Sequence, residues 1–134
     1  DLMEKSFIMI KPDGVERGLM GEIINRIEKK GFSITRMELM KPAKELVEEH
    51  YEEHREKPFF SELVEYIAGK NVLAMKVEGD SVIKVMRLMI GHRDHREALP
   101  GTIRGDFAHN LTENIIHGSD SPESAERELK LWFE

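Results

Sequence analysis

The unbroken apolar run Phe7-Ile8-Met9-Ile10 is the feature that most constrains how this chain can fold. Side chains of a strand alternate between two faces, so a strand that is apolar at every position belongs in the centre of a sheet, buried on both sides. The run ends at Lys11-Pro12-Asp13-Gly14, where proline keeps Lys11 extended and Pro-Asp-Gly favours a turn. A lysine is therefore predicted at the tip of a buried strand, either with a function there or as an ordinary edge lysine reaching water.

Hydrophobic periodicity predicts how helices and strands follow one another along the chain. The predicted strands are residues 6–10, 32–40, 71–78 and a short segment at 115–116. The predicted helices are residues 19–30, 43–54, 58–68, 81–90 and 121–133. Gly31 should end the first helix, a slip in alternation near Arg36 predicts a β-bulge, and Asp80 and Ser121 are predicted N-caps. This order favours an α+β sandwich, a four-stranded sheet with helices on one face.

Length and composition favour a single domain, residues 1–134, with an ordinary globular content of 40% hydrophobic and 34% charged residues. No apolar run reaches the length of a membrane span, and no signal-peptide core is present near the beginning. The sequence has no cysteine, so a cytoplasmic location is the expectation. Met3-Glu4-Lys5 resembles a natural start, with Asp1-Leu2 as added residues. The net charge of −6 disfavours nucleic acid as a partner, so an anionic ligand would need a local basic pocket.

Residues 91–113 show no usable periodicity over more than twenty positions. Loops of that length inside compact domains are uncommon and are usually functional or disordered. This one contains Pro100-Gly101-Thr102-Ile103-Arg104-Gly105-Asp106-Phe107, which has too many turn-forming and polar residues in fixed positions to indicate disorder. We therefore predict an ordered functional loop that holds Arg104 between glycines.

The chemically most informative segment places His117 between the short apolar pair Ile115-Ile116 and the turn Gly118-Ser119-Asp120. Ser121 and Pro122 follow as the N-cap and first residue of the last helix. One interpretation is that His117 is a nucleophile that accepts a phosphate. The other is a strand-to-helix turn with an incidental histidine, and local physics alone does not separate the two.

A neutral imidazole attacks phosphorus without a separate base, and at an ordinary pKa of about 6.5 roughly three-quarters of the ring is neutral at pH 7. Glu128, at the edge of the last helix's apolar stripe, is either a boundary residue or a partner that orients His117 and raises the pKa of the ring. The cations Lys11, Arg87 and Arg104 would lower that pKa. The expected balance keeps the pKa of His117 near its ordinary value.

Four further residues permit a structural or a functional interpretation. Tyr51 lies on the side of its predicted helix away from the acidic face. Phe59 and Phe60 are adjacent at a helix start, so one is expected in the core and the other at the boundary or against a ligand. Arg87 lies off the apolar stripe of its helix and, taken alone, is a surface charge.

Neither a GxxxxGK[ST] loop nor a protein-kinase glycine loop occurs in the sequence. Zinc is a competing interpretation of His92, His95, His109 and His117, but without cysteines or an HExxH helix it is disfavoured. Mg²⁺ arriving with a nucleotide is favoured instead, because it keeps its waters and binds substrate phosphates.

Four segments, in this order, resemble the signature segments of nucleoside diphosphate kinases, and the resemblance runs from about Glu4 to Phe133. The segments are Lys11-Pro12-Asp13-Gly14, His50-Tyr51 with Lys57-Pro58-Phe59-Phe60, Pro100 to Phe107, and Asn114-Ile115-Ile116-His117-Gly118-Ser119-Asp120. The resemblance implies a ferredoxin-like βαββαβ core with a four-stranded antiparallel sheet. It also implies a ping-pong reaction that requires Mg²⁺: a nucleoside triphosphate, typically ATP, phosphorylates the histidine, which then phosphorylates a nucleoside diphosphate.

The resemblance also implies roles for single residues. His117 is the histidine that becomes phosphorylated, at Nδ1, and Ser119 and Glu128 orient it. The residues implied to contact phosphate, sugar or the nucleophile are Lys11, Tyr51, Arg87, Arg104 and Asn114. Phe59 is the aromatic on which the base stacks, while Leu63 and Leu111 line the base. Asp120 is a candidate to reach the Mg²⁺ ion through water. Little of this set reads the base edge, which favours broad base specificity.

The chain departs from the family pattern Gly-x-Thr-x-Pro at Gly91-His92-Arg93-Asp94-His95. Arg93 replaces the threonine that lies near the phosphates, and His95 replaces the proline. Our hypothesis is that Arg93 either contacts the phosphates or turns outward. Members of the family are hexamers or tetramers; a hexamer is favoured here and a tetramer is the alternative. Two other functions stay open: a nucleotide-binding regulatory module without catalysis, and transfer of phosphate from His117 to another protein.

Overall fold

The computed structural model describes residues 2–134 and forms one four-stranded antiparallel sheet in the order β2-β3-β1-β4. The strands are β1 (Met3–Ile10), β2 (Ser33–Met40), β3 (Val72–Asp80) and β4 (Ile116–Gly118). The long apolar strand β1 therefore lies inside the sheet, between β3 and the short strand β4. The predicted central position of this strand and the ferredoxin-like α+β fold are both confirmed.

Seven α-helices and one 3₁₀ turn connect the strands of the described chain. The helices are α1 (Pro12–Glu16), α2 (Met20–Lys30), α3 (Lys44–His50), α4 (Phe60–Ile67), α5 (Val82–Ile90), α6 (Ile103–Phe107) and α7 (Pro122–Phe133). The 3₁₀ turn is Glu52–His54, so the predicted helix at 43–54 ends earlier than expected. Within residues 2–134, no helix combines the length and the apolar character needed to cross a bilayer.

Helices cover both faces of the sheet, and the prediction of helices on one face was wrong. Ile8 and Ile10 belong to one hydrophobic cluster, which includes residues of α2 and α5. Phe7 and Met9 belong to a second cluster with residues of α3, α4 and α7. The reason lies in β1 itself, because a strand with large apolar side chains on both faces needs cover on both. His117 enters the sheet opposite Met9.

Several local predictions have definite outcomes. Gly31 ends α2 in the left-handed conformation, with φ of 103°, and β2 has its register shift between Ile34 and Arg36, so both predictions are confirmed. The predicted Pro-Asp-Gly turn was wrong, because Pro12 is the first residue of α1. Asp80 is not the N-cap of α5; it is the last residue of β3, and Ser81 takes the cap position with φ of 55° and no side-chain cap.

The aperiodic segment 91–113 is ordered around α6. Thr102 caps this helix, its Oγ1 accepting a hydrogen bond of 2.9 Å from the Gly105 backbone. Gly105 is required here, because a Cβ at this position would collide with the carbonyl of Leu99. Arg26 of α2 donates to Asp106 at 2.8 Å and ties α6 to the body of the domain. Arg104 thus lies on a short capped helix, which sequence periodicity did not predict.

Candidate active site

The candidate site forms where β1 ends and β4 passes beside it. β4 pairs Ile116, His117 and Gly118 with Ile10, Met9 and Ile8 of β1. Lys11 follows β1 directly, and its backbone N–H donates to the carbonyl of Ile115 at 2.7 Å. The lysine at the tip of the buried strand and the histidine, 106 positions apart in the chain, therefore come to one edge of the sheet.

A buried carboxylate holds His117. Its Nε2 lies 3.0 Å from Oε1 of Glu128 on α7, and the same oxygen accepts a hydrogen bond of 2.7 Å from Ser119 Oγ. Ser119 is fixed in turn, since its Oγ accepts from the backbone N–H of Phe7 at 3.1 Å. Glu128 is 5% exposed, and burial raises the pKa of its carboxyl. The ring nitrogen that faces Glu128 is Nε2, and Nδ1 takes no part in this hydrogen bond.

The pKa of His117 falls to about 3 because the ring is buried and because Lys11, Arg104 and Arg87 lie close to it. The expectation of a pKa near the ordinary value was therefore wrong: desolvation and three cations all lower the pKa of the ring and outweigh the nearby charge of Asp120, which raises it. A neutral ring at pH 7 donates its Nε2–H to Glu128, which leaves the lone pair on Nδ1.

Lys11 and Asn114 form the nearest polar pair. The lysine Nζ donates to Asn114 Oδ1 at 2.8 Å, and both residues are buried. Burial, followed by the charge of Arg104, lowers the pKa of the Lys11 amine to about 7. Because the Lys11 ammonium is buried next to the Arg104 guanidinium, an anion bound here would stabilise the charged form of the lysine.

Arg104 anchors the loops that surround the site. Its guanidinium donates to three backbone carbonyls: Asn114 at 3.3 Å, Gly91 at 3.2 Å and Ile116 at 2.7 Å. Burial and the neighbouring Arg87 lower its pKa to about 10. Arg87 itself donates to the carbonyl of Gly118 at 3.1 Å, so it lies beside the site and is not an ordinary surface charge.

Tyr51 and Arg93 occupy different environments. Tyr51 is 8% exposed, and among residues 2–134 its hydroxyl has no hydrogen-bond partner; burial raises its pKa. Arg93 is exposed, and it joins the site through its backbone carbonyl, which accepts from Asn114 Nδ2 at 3.4 Å.

The predicted base-binding side chains lie on or near the start of α4. Phe60 is buried, whereas Phe59 is 43% exposed beside the ring of His54, with centroids 5.5 Å apart. Leu63 is half-buried, and Leu111 is 56% exposed. The loop that carries Leu111 approaches α4 through a hydrogen bond of 3.4 Å from Thr112 to Glu62. An exposed aromatic ring with leucines nearby is suited to stacking a planar ligand.

Sequence reasoning gave no role to His50, which contacts the site directly. Trp132 Nε1 donates to His50 Nδ1 at 3.0 Å, and the His50 ring packs edge-on against His117 with centroids 4.6 Å apart. Burial, and then His117, lower its pKa. Within the described chain, His50, His117 and Glu128 form the one cluster with metal-ligand spacing. The zinc candidates His92, His95 and His109 lie outside it.

The comparisons with known proteins point in one direction. The family model described as "Nucleoside diphosphate kinase" matches residues 4–134. A nucleoside diphosphate kinase of Exiguobacterium sibiricum is 61% identical over 132 residues, which cover 98% of this chain and 96% of that protein. One from Archaeoglobus fulgidus is 56% identical, covering 98% and 87%. The nucleoside diphosphate kinase of Halobacterium salinarum, solved in complex with CDP, superposes with a TM-score of 0.95 at 45% identity, covering 98% and 88%.

The fold and these matches define a nucleotide-dependent phosphotransferase. The chain belongs to the nucleoside diphosphate kinase family and has that enzyme activity. The resemblance found in the sequence is thereby confirmed over almost the whole chain. The roles of single residues stay predictions. Apart from Tyr51, whose hydroxyl has no partner in residues 2–134, the implied phosphate and histidine residues form hydrogen bonds with one another or with the backbone around His117.

Proposed function

We propose that the enzyme transfers the γ-phosphate of a nucleoside triphosphate to a nucleoside diphosphate by a ping-pong mechanism with His117 as the phosphate carrier. The observation that carries this proposal is the hydrogen bond of 3.0 Å between His117 Nε2 and Glu128. It fixes the ring and its tautomer, so that a free nucleophilic nitrogen, Nδ1, belongs to a neutral imidazole. An incidental histidine in a turn has no need of a buried glutamate and a serine to hold it.

In the first half-reaction the Nδ1 lone pair forms a bond to the γ-phosphorus while the bond from that phosphorus to the bridging oxygen breaks. The electron pair of that bond leaves with the nucleoside diphosphate, and positive charge develops on the ring. Glu128, which accepts the Nε2–H and is itself held by Ser119, stabilises this charge. The second half-reaction reverses these steps with a different nucleoside diphosphate, whose terminal oxygen takes the phosphoryl group.

The basic residues around His117 provide the charge neutralisation that phosphoryl transfer needs. Lys11 supplies a point charge, and Arg87 and Arg104 supply planar guanidinium donors. Tyr51 carries a buried hydroxyl without a partner in residues 2–134, which is free to bond a phosphate, the sugar or the nucleophile. Asn114 presents Lys11 through their mutual hydrogen bond.

Mg²⁺ fits this site as an ion carried by the substrate. The donor set around His117 is cationic, and Glu128 is already bonded to the histidine and to Ser119. Asp120 is an exposed carboxylate one position beyond Ser119, with one oxygen accepting from Ser124 at 2.8 Å. The substrate phosphates would hold the ion, and Asp120 would reach it through water. When bound, Mg²⁺ neutralises phosphate charge.

Broad base specificity follows from how the base is held. Phe59 is proposed as the stacking ring, with Leu63 and Leu111 alongside, and every nucleobase has a face that can stack. None of these side chains carries a hydrogen-bonding group that reads a base edge. The Halobacterium salinarum relative was solved with CDP, which supports a nucleoside diphosphate as a ligand of this site.

A two-step labelling experiment tests the proposed function. The protein is incubated with Mg·ATP labelled at the γ-phosphate, separated from nucleotide, and then given GDP. The ping-pong mechanism predicts an acid-labile, base-stable phosphoprotein that loses its label to GDP. Stoichiometric labelling without transfer to any diphosphate would favour phosphotransfer to another protein. Nucleotide binding without labelling would favour a non-catalytic module.

The low pKa of Lys11 predicts that nucleotide binding takes up a proton. In the free enzyme the amine has a pKa of about 7, so at pH 8 it is mostly neutral. A bound phosphate favours the charged form and raises that pKa, so the complex holds more protons than the separate components. Calorimetry at pH 8 in two buffers of different ionisation enthalpy should show uptake of about one proton per ADP bound.

The matched variant for this measurement is Lys11→Arg, because arginine stays charged throughout the range. It should bind ADP with little or no proton uptake. Equal binding heats for the wild-type protein in both buffers would contradict the assignment of Lys11 to the phosphates.

The substitution Arg93→Thr tests the departure from the family pattern. If the exposed Arg93 side chain turns towards bound phosphates, the threonine variant should show a KM for nucleotide raised about tenfold, an effect that weakens as salt is added. Steady-state kinetics at several salt concentrations would measure this. Unchanged KM and kcat at every concentration would mean that Arg93 points outward.

A homo-oligomer is proposed, with a hexamer favoured over a tetramer. β2 is an edge strand with nearly all of its residues exposed, among them Met37 at 53% and Leu39 at 55%. Apolar side chains on an open strand edge suit pairing with another copy. Sedimentation equilibrium would distinguish the two assemblies, and a monomer would contradict both. A cytoplasmic location stays a prediction that rests on the absence of cysteine.

A further inference from the structure

Ile115, two residues before His117, has a strained backbone. Its φ of 77° lies in the left-handed region, which a β-branched residue rarely adopts because of steric strain. Such strain persists only where surrounding contacts hold it. Among residues 2–134, Ser81 is the one other non-glycine residue with a positive φ, and it lies at the start of α5.

Both sides of Ile115 are bonded to the start of α1. Its backbone N–H donates to Asp13 Oδ2 at 3.1 Å, and its carbonyl accepts from the Lys11 N–H at 2.7 Å. The two segments approach closely: a Cβ at Gly14 would lie 3.0 Å from the Ile115 carbonyl oxygen and 2.7 Å from Ile10 Cγ2. The segment Lys11-Pro12-Asp13-Gly14 therefore clamps the strained residue.

Asp13 is the side chain of this clamp, and it is 6% exposed. Its second carboxylate oxygen accepts from the hydroxyl of Tyr66 on α4, and its own N–H donates to the same hydroxyl at 2.8 Å. No lysine or arginine forms an ion pair with Asp13 in the described chain. Asp13 is thus a buried carboxylate without a cationic partner, and its two oxygens bond the Ile115 N–H and the Tyr66 hydroxyl. Because burial of such a group is costly, we infer that its role is to hold the Ile115 amide in place.

The backbone conformation of Ile115 sets the orientation of the preceding residue, Asn114. Its side chain accepts from Lys11 Nζ at 2.8 Å, its amide donates to the Arg93 carbonyl at 3.4 Å, and its own carbonyl accepts from Arg104 at 3.3 Å. Rotation of the Ile115 backbone out of the left-handed region would turn Asn114 away from Lys11. The strain at Ile115 is thus linked to the placement of the phosphate-site lysine.

We propose that Asp13 is a positioning residue, which with Tyr66 holds Ile115 in its strained conformation and thereby places Lys11 and Asn114 beside His117. The hydrogen bonds of the Asp13 side chain go to the Ile115 backbone and to Tyr66, and none of them reaches His117. The proposal rests on the proposed role of His117. It makes Asp13, which takes no direct part in the phosphoryl transfer, important for kcat.

The charge of Asp13 adds a second effect, which gives the test a distinctive readout. Asp13 raises the pKa of the Lys11 amine, against burial and the charge of Arg104. The other titratable groups near this amine are His117 on β4 and His50 on α3. Without the Asp13 charge, Lys11 would lose its proton at a lower pH.

Asp13→Asn is the central variant, because it keeps the side-chain shape and removes the charge and one acceptor. Its kcat should fall about tenfold to a hundredfold, since a displacement near 1 Å at a phosphoryl-transfer site costs on that order. The KM for nucleotide should change by a smaller factor than kcat, because the proposed stacking site is not touched and only the Lys11 contact with the phosphates is altered. The alkaline limb of its kcat/KM profile should move to lower pH.

Tyr66→Phe is an independent variant, because it removes the hydroxyl of α4 that donates a hydrogen bond to Asp13 and leaves Asp13 itself unchanged. It should lower kcat with little change in the pH profile, because the Asp13 charge stays in place. Asp80→Asn is the matched control and should have wild-type kinetics. Asp80 lies at the end of β3 that pairs with the start of β1, whereas Lys11 follows the other end of β1. A role in stability alone would lower Tm and leave the kcat of the folded protein and its pH profile unchanged.

A folded Asp13→Asn with wild-type kcat and pH profile would overturn the proposal. If Asp13→Asn does not fold, Tyr66→Phe decides, and a wild-type kcat in that variant would overturn it. Failure of the His117 assignment is seen separately, as retained phosphoprotein label in His117→Ala.

Discussion

Replacing His117 with alanine is expected to abolish both half-reactions: no phosphoprotein forms with labelled ATP, and no phosphate reaches GDP. The expected loss in kcat is about a thousandfold or more, because the nucleophile itself is removed and the cations cannot replace it. The measurement combines the labelling assay with steady-state kinetics. The fold should survive, since His117 is part of a three-residue strand and the alanine would leave the large apolar clusters of β1 in place.

His109→Ala is the matched control, because His109 is an exposed histidine in the loop before β4. It should label and transfer phosphate as the wild-type protein does. Label that persists in His117→Ala at wild-type stoichiometry, or that disappears in His109→Ala, would refute the assignment of His117.

The second large effect is on stability, and it comes from Arg104→Met. The guanidinium bonds the carbonyls of Asn114, Gly91 and Ile116, and methionine removes all three of these bonds. The Asn114 carbonyl keeps the Ile116 N–H as a donor, at 2.9 Å. Removal of one partner from buried polar groups costs their desolvation, and here we expect about 3–5 kcal/mol. For a domain of this size, each kcal/mol corresponds to roughly 3–6 °C in Tm.

Arg96→Met is the same substitution at an exposed site, where the guanidinium bonds only Asp94. Surface ion pairs contribute little, so its unfolding free energy should change by less than about 0.5 kcal/mol. Denaturant unfolding of both variants, compared with the wild type, measures the difference. Equal stability of Arg104→Met and Arg96→Met would show that Arg104 serves the substrate alone and does not hold the loops together.

Sequence patterns predicted those parts of the site that depend on a single element. The uninterrupted apolar run predicted a central strand, so the position of Lys11 at its tip followed from local sterics and burial. Glu128 lay at the edge of an apolar stripe, which gave it access to a buried partner. His50 and Asp13 were missed as functional residues, because their partners, Trp132 at 82 positions and Ile115 at 102 positions away, are far along the chain.

The pKa of His117 shows most clearly where sequence reasoning stops. The sequence identified the ring, the carboxylate and the cations, but the balance among them depends on burial. Only the fold removes water from the ring and places Lys11 and Arg104 near enough to lower its pKa to about 3. Periodicity also did not predict the helix that carries Arg104, because five residues are too few to show a hydrophobic period. In the structure this helix is held by the Thr102 cap, a contact with α2, and the packing of Ile103 and Phe107 on the core.

The sequence by itself determined the central strand and the α+β class. Four ordered segments, through their resemblance to nucleoside diphosphate kinases, indicated the family and with it the ferredoxin-like core. These follow from residue types at fixed local spacing. Only the tertiary structure decided that helices cover both faces of the sheet, that Glu128 takes Nε2 of His117, and that Asp13 clamps a strained Ile115. Such contacts join residues distant in the chain, and their energies depend on burial and geometry, which no local pattern contains.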